Sequence, residues 1–417
     1  MVAASLPATL YPSWSDVSYV PSGFTATPNQ KCNIYRGLGP RRRKPTLIVC
    51  NMTGWNTTAR ATAFSATGGT YTGTGSILTF SALPYLLLLA DWNVVSMTAT
   101  ITNDLAADGT ALLGKGLFRK DTDTDGAGTA LFSYGSFAEK DVMWVAQFLR
   151  RNFDTYGVDH DIIGSIGLSA GGSASLWATL AQDYGGNTGF HKTESTRPNF
   201  AMAITPQMLY PTIDATSSAL LAGMHFPKET GVAANDWNTV AVAYSGAAGT
   251  DASNNGADFS RLEFASPLRI AWDPTVTGAT NIQAMNRTVP LWLYSNAAVP
   301  STWDGTTNPT FSDDPTDAPW TVGNYTGRYG DLGVGNDPFH NAVHLYLFKE
   351  LALANGMAWA TQGGLSCLTV ASAAKAASTW GATKPRQDVV LDGINVGVDS
   401  PITQHQYEWL RALERRL

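Results

Sequence analysis

Cysteine and charged residues are both scarce in this chain. Cys32, Cys50 and Cys367 are its only cysteines, and their odd number and wide spacing exclude a disulfide framework and any zinc-binding pattern. A single bridge between Cys32 and Cys50 is left open. Charged residues make up 14% of the sequence and the formal net charge is -6, so nothing in the composition favours nucleic acid or an anionic membrane as a partner.

Long apolar runs are also missing. The longest, from Ala82 to Ala90, contains Pro84 and is too short to span a bilayer, so it predicts a buried helix. The first twelve residues lack a basic start and a sustained apolar stretch, so no signal peptide is visible. We therefore expect a soluble protein without a membrane span; its compartment and oligomeric state are not indicated.

What the chain does contain is an alternation of strands and helices. Hydrophobic residues make up 44% of it, enough for a substantial core. Short apolar runs rich in β-branched residues predict strands at 45–51, 92–99, 162–166, 200–209 and 289–295, with a further strand near Trp359. Helices are predicted at 77–89, 137–153, 173–182, 340–353 and 401–417. This order predicts an α/β fold with a mostly parallel central sheet flanked by helices.

The most informative motif is Gly167-Leu168-Ser169-Ala170-Gly171, which follows one of these strands and precedes a helix. A sharp turn between strand and helix needs residues without bulk on both sides of the serine, and Gly167 and Gly171 meet that need. The serine hydroxyl is then predicted to lie exposed at the N-terminus of the helix. There, free N–H groups and the helix dipole favour a developing negative charge.

A strand, this Gly-x-Ser-x-Gly turn, a helix, a later strand and a late histidine together resemble the α/β-hydrolase superfamily. The likeness covers about residues 45–353, and the form Gly-Leu-Ser-Ala-Gly-Gly is similar to that of carboxylesterases, feruloyl-esterase-like proteins and polyester depolymerases. The resemblance implies an α/β-hydrolase core that attacks esters with Ser169 as nucleophile.

Connection lengths predict how the chain is divided. Residues 1–44 are expected to form an N-terminal arm, irregular or an edge hairpin, and 45–209 with 289–370 the core. The segment 210–288 is longer than any connection the sheet needs, so it predicts an inserted cap. Residues 371–417 are expected to form a C-terminal extension.

A serine nucleophile needs a base, and the chain has only six histidines. The resemblance implies the chain order serine, acid, histidine, which eliminates His160. His340 follows a loop and begins a predicted helix, so it is the predicted base. His344, one turn further on, is interpreted as a buried structural histidine.

The position of the acidic residue of the triad differs from the pattern of the superfamily, which places an aspartate a few residues beyond the strand that here ends at Ser295. Here Asn296 and apolar residues follow, and the nearest carboxylate is Asp304. Asp304 is predicted as the acid, although a solvated turn explains it equally well, and three further aspartates stand behind it: Asp313, Asp314 and Asp317.

Ester hydrolysis also needs two N–H donors for the oxyanion. The backbone N–H of Ala170, directly after the nucleophile, is predicted as one. The resemblance implies the second in the loop after the first core strand, where Thr53 or Gly54 is nominated. An ordinary turn at the end of the strand is the alternative interpretation.

The acidic run 121–126 places aspartates at alternate positions before Gly126, as calcium loops do. Phe132 stands where such a loop needs glutamate, so a hydrated turn is favoured and Ca²⁺ is kept as the alternative. No other metal and no cofactor is predicted.

The sequence thus predicts a serine esterase that acts on a small or polymeric ester through an acyl-enzyme. A polyester or polysaccharide-ester depolymerase is one alternative, suggested by loop tryptophans at positions 55, 237, 303 and 320. A non-catalytic binding or structural module on a hydrolase fold is the other, because no aspartate directly follows Ser295.

Overall fold

The structure is a computed structural model. It describes residues 6–20, 29–53, 57–72, 82–99, 137–181, 183, 193–204, 206, 208, 267, 289–295, 348, 365–369, 389–391, 394–396 and 401–417. The strands are β1 (Thr9–Leu10), β2 (Trp14–Ser18), β3 (Lys31–Tyr35), β4 (Lys44–Thr53), β5 (Thr57–Thr58), β6 (Arg60–Ser65), β7 (Gly68–Thr72), β8 (Asn93–Met97), β9 (Val158–Leu168), β10 (Phe200–Ile204), β11 (Leu291–Ser295), β12 (Leu365–Thr369), β13 (Val389–Leu391) and β14 (Ile394–Val396). The helices are α1 (Leu83–Leu89), α2 (Phe137–Arg151), α3 (Phe153–Tyr156), α4 (Ala170–Leu180) and α5 (Pro401–Glu414).

The main sheet has the strand order β12-β11-β10-β9-β4-β8-β3-β2, with β5 paired to the end of β4. Its strands are parallel from β12 through β8. β3 is antiparallel to its neighbour β8, and β2 is antiparallel to β3, so the sheet is mixed. The α/β class is confirmed, and β2 and β3 form an antiparallel pair at one edge of the sheet.

Helices cover both faces of this sheet. Val49, Ile166, Met202 and Trp292 share one register row and lie in a buried cluster with residues of α1 and α5. The next row in the direction of the chain faces the opposite side because side chains alternate along a strand. On that side α4 packs against β4, β9 and β10, and α2 packs against α4.

Several element boundaries differ from the predictions because tertiary contacts override local propensity. α1 begins at Leu83 rather than residue 77, with Pro84 in its first turn where proline is tolerated. β4 runs on to Thr53, since Met52 and Thr53 pair with β5. α4 begins directly after Ser169, three residues earlier than predicted, and β10 ends at Ile204.

The bridge that the sequence left open is absent, because Cys32 and Cys50 are free thiols. Both pair with Met97, which lies between them on β8. Two strand spacings separate them, roughly 10 Å, and a disulfide needs α-carbons within roughly 7 Å.

The predicted cap, 210–288, lies outside the described residues apart from Pro267, and the division of the chain stays a prediction.

None of the described helices combines the length and apolar character that a bilayer crossing requires.

Candidate active site around Ser169

Ser169 occupies the turn between β9 and α4. β9 ends at Leu168 and α4 begins at Ala170, so the serine alone joins strand to helix. Its backbone has φ 54° and ψ -122°. Residues other than glycine rarely adopt positive φ, and holding one there costs on the order of 1–3 kcal/mol. The surrounding structure must supply that free energy.

Two glycines allow the strand and helix to approach closely, as the sequence predicts. A Cβ on Gly167 would lie 1.9 Å from the carbonyl oxygen of Gly171. A Cβ on Gly171 would lie 2.3 Å from the carbonyl oxygen of Cys50 on β4. At Gly172 the nearest atom would be 3.2 Å away, which is tight contact but not overlap. Gly167 and Gly171 are therefore required by main-chain contacts.

Backbone hydrogen bonds hold the serine from two directions. The N–H of Ser169 donates to the carbonyl oxygen of Ile204, at the end of β10, over 2.9 Å. The carbonyl oxygen of Ser169 accepts from the N–H of Ser173 at 3.0 Å and from the Ser173 hydroxyl at 3.3 Å. The peptide units on both sides of the serine are thus fixed.

The sequence predicts an exposed hydroxyl, whereas Ser169 as a residue is only 7% exposed. β10 and the first turn of α4 both form hydrogen bonds with its backbone, which contributes to this burial. A small part of its surface remains accessible.

The helix after the serine is buried along its whole length, since each residue of α4 lies in the interior. Its first N–H groups, from Ala170 to Gly172, have no partner within the helix. They carry the positive end of the helix dipole, which favours a negative charge beside Ser169. The assignment of the Ala170 N–H as an oxyanion donor stays a prediction.

The end of β4 lies directly beside the first turn of α4. A Cβ on Gly171 would be 3.1 Å from the backbone nitrogen of Met52. Thr53, the next residue, pairs with Thr57 in β5, so it belongs to a strand and not to the predicted turn. Gly54 lies outside the described residues, so its predicted role is untested.

His340 and Asp304 also lie outside the described residues, as do the loop tryptophans and the acidic run 121–126. Both residues belong to the chain between β11 and β12, which leaves the sheet at Ser295. Because β9 and β11 are both parallel to β10, β9 ends at Leu168 and β11 ends at Ser295 on the same edge of the sheet. The roles of His340 as base and of Asp304 as acid stay predictions.

Two features near this edge are not apparent from the sequence. Ser173 is not singled out, although its position four residues after Ser169 puts it one helical turn from the serine. Asp141 on α2 is fully buried and accepts a hydrogen bond from Nε2 of Gln30 at 3.0 Å. Burial, then the nearby Asp141 and Glu139, raise the pKa of the Cys50 thiol to about 12.

Residues 139–150 of α2 are all buried, so this part of the helix is enclosed on every side, and Arg151 after it is exposed. Within the described ranges, no group of three or more His, Cys, Asp or Glu side chains is arranged to hold a metal ion.

No protein-family model and no curated protein matches this chain. Among solved structures, it is similar to a truncated carbohydrate esterase from gut microbiota, with 13% identity, a TM-score of 0.42, and 85% of this chain and 97% of that chain covered. It is also similar to a bifunctional GH43-CE protein of Bacteroides eggerthii, with 14% identity and a TM-score of 0.46, covering 97% of this chain and 38% of that one. An esterase of Thermogutta terrifontis bound to butyrate gives 12% identity, a TM-score of 0.42, and coverage of 85% and 82%.

Proposed function

We propose that this chain is a serine hydrolase of the α/β-hydrolase fold that cleaves carboxylic esters through an acyl-enzyme. The observation that carries the proposal is the backbone of Ser169. This non-glycine residue has positive φ between the end of a parallel strand and the N-terminus of a buried helix, with main-chain contacts that admit only glycine at 167 and 171. Such a turn is the nucleophile elbow of these enzymes.

The strained backbone also bears on the alternative of a non-catalytic module. A fold that only binds or scaffolds gains nothing from a serine held at φ 54°. Strain of this kind persists where pre-organisation of a reacting group offsets its cost. The geometry therefore favours catalysis over a structural role.

In the proposed mechanism, Oγ of Ser169 attacks the ester carbonyl carbon while His340 takes the hydroxyl proton. The backbone N–H of Ala170, with a second donor from Thr53 or Gly54, stabilises the oxyanion of the tetrahedral intermediate. The C–O bond to the alcohol then breaks, and His340 gives its proton to the departing oxygen. A water molecule then gives a proton to His340 and attacks the acyl carbon, the bond from that carbon to Oγ of Ser169 breaks, and His340 returns the proton to Oγ, which releases the carboxylic acid. Asp304 orients the imidazole in both halves of the reaction.

The test combines turnover with covalent labelling. Ser169→Ala is expected to abolish hydrolysis of a short p-nitrophenyl ester and labelling by a fluorophosphonate probe, with the circular-dichroism spectrum and the melting temperature retained. Peptide mapping of the wild-type adduct should place the probe on Ser169. Retained turnover in Ser169→Ala, or a wild-type protein that the probe does not label, would overturn the proposal.

Two further variants test the proposed base and the proposed acid of the triad. His340→Ala and Asp304→Asn should lower kcat, the first by about 10³-fold or more and the second by a smaller factor, because oxyanion stabilisation and binding survive the loss of either partner. If Asp304→Asn is fully active, the acid is another carboxylate, and Asp313, Asp314 and Asp317 are next to be changed.

A further inference from the structure

Ser173 directs two donors at a single atom of the nucleophile's backbone. It lies one turn into α4 and is fully buried. Its N–H reaches the carbonyl oxygen of Ser169 at 3.0 Å, and its hydroxyl reaches the same oxygen at 3.3 Å. The N–H contact is the ordinary first hydrogen bond of a helix, whereas the hydroxyl contact depends on a serine at this position.

That carbonyl belongs to the peptide unit that also carries the N–H of Ala170. A trans peptide unit is planar, and its C=O and N–H point in opposite directions. Any contact that fixes the oxygen of Ser169 therefore fixes the direction of the Ala170 N–H. The torsion that turns this plane is ψ of Ser169, at -122° next to a positive φ, where backbone preference alone does not hold it.

We infer that Ser173 is a positioning residue for the oxyanion donor: its hydroxyl anchors the Ser169–Ala170 peptide plane and aims the Ala170 N–H at the substrate oxygen. This inference rests on the proposed function, since it assigns Ser173 a part in stabilising the same oxyanion. A hydrogen bond accepted by the carbonyl also polarises the peptide unit, which makes its N–H a stronger donor. Ser173 thus acts on the transition state without touching the substrate.

Ser173→Ala removes the hydroxyl and keeps the helical N–H bond, so the helix should remain intact. The matched control is Ser175→Ala, because Ser175 is equally buried on the same helix. Among the residues that the structure describes, the Ser175 hydroxyl has no hydrogen-bond partner. Both variants delete one buried hydroxyl, and they differ in whether it contacts the nucleophile's peptide unit.

Three measurements separate positioning from packing: kcat and KM on a p-nitrophenyl ester, inhibition by a trifluoromethyl ketone, and the urea midpoint. The ketone forms a hemiketal with Oγ of Ser169 and places an oxyanion against the same donors. Ser173→Ala should lower kcat about tenfold, below the 10²–10³-fold loss expected when an oxyanion donor is removed outright. It should weaken the ketone by the same factor and leave KM and the urea midpoint unchanged.

Ser175→Ala should match the wild type in all three measurements. The inference is overturned if Ser173→Ala keeps wild-type kcat, or if its loss of kcat is not matched by weaker binding of the ketone. Fluorophosphonate labelling of the wild type on Ser169 is measured in the same experiment. Failure to label there refutes the proposed hydrolase itself, whereas labelling with an unaffected Ser173→Ala refutes only the role of Ser173.

Discussion

Gly171 is one of the two residues at which the turn around Ser169 tolerates no side chain. A Cβ there would lie 2.3 Å from a main-chain oxygen of β4, which cannot rotate away as a side chain could. Alanine at this position forces the strand and helix apart. The neighbouring Gly172 has no atom nearer than 3.2 Å to its hypothetical Cβ, so it provides a matched comparison on the same helix.

We therefore predict that Gly171→Ala lowers the free energy of unfolding by about 3 kcal/mol, as overpacking of a well-filled interior does. Activity should fall with it because the turn that carries Ser169 shifts. Gly172→Ala should cost much less, since a small adjustment relieves its contacts and alanine favours the helix. Urea unfolding of both variants measures the difference, and equal losses would show that the contact with Cys50 does not limit the turn.

The glycine pattern also explains why this part of the site could be predicted from sequence. Gly167 and Gly171 are local signals, since their spacing about Ser169 is readable without knowing which strands are neighbours. Ile204 and Met52 reach the serine and the helix from elsewhere in the chain. Their contacts depend on strand order and register, which no pattern around Ser169 encodes, so they became apparent only in three dimensions.

At the scale of elements, Arg150 joins α2 to the segment that leads into β10. It is 3% exposed, and its guanidinium donates to the carbonyl oxygens of His160 and Ser195 and to Oδ1 of Asn199. Burial lowers the pKa of Arg150 to about 10, so it remains charged at neutral pH. A buried cation with three acceptors fixes the position from which β10 starts.

We predict that Arg150→Met lowers the free energy of unfolding by about 3 kcal/mol, because buried acceptors lose their donors. Arg151→Ala is the control, since Arg151 is the next residue of the same helix and is exposed. Its effect should stay within about 0.5 kcal/mol. Urea denaturation measures both, and an Arg150→Met protein as stable as the control would contradict the structural role.

The start of α4 shows where element prediction failed and why. Two glycines after Ala170 are poor helix formers, so the sequence favours a helix from residue 173. The observed helix begins at Ala170 because packing against β4 and β9 outweighs that preference. β4, similarly, extends to Thr53 because β5 provides a partner that the sequence pattern does not reveal.

For the molecule as a whole, the last helix is part of the main core. Tyr407, Leu410 and Leu413 of α5 lie in the same buried cluster as α1 and the strands. Glu414 accepts a hydrogen bond from Nε1 of Trp92 at 3.2 Å and pairs with Arg41. The chain around Ser169 is therefore supported by residues from both ends of the sequence.

Global stability should also respond to pH through the two buried thiols. Burial raises the pKa of Cys32 and of Cys50 to about 12, whereas an unfolded thiol titrates near roughly 8.5. The native state therefore holds protons that the unfolded state releases, and their contribution is fully present below about pH 8.5 and lost as pH rises toward about 12. The free energy of unfolding should fall across this range.

The check is the urea midpoint at pH 7.5 and pH 10 for the wild type and for the double variant Cys32→Ala/Cys50→Ala. The double variant should show a smaller decline, because alanine does not titrate. The raised pKa of Tyr35 does not depend on either cysteine, so its contribution is common to both proteins. Burial and, to a smaller extent, Cys32 and Cys50 raise the pKa of Tyr19, so the difference between the two proteins includes the thiols together with their effect on Tyr19. An identical decline in the two proteins would refute the contribution of the thiols.

The turn that carries Ser169 is held mainly by close contacts with main-chain oxygens. The oxygens of Ile204, Cys50 and Gly171 are main-chain atoms, present whatever side chain a position carries. Substitutions at positions 50 and 204 that preserve the packing therefore leave in place the oxygens that contact this turn. The sequence around this serine can therefore diverge widely during evolution, provided that positions 167 and 171 stay glycine and position 173 keeps its hydroxyl.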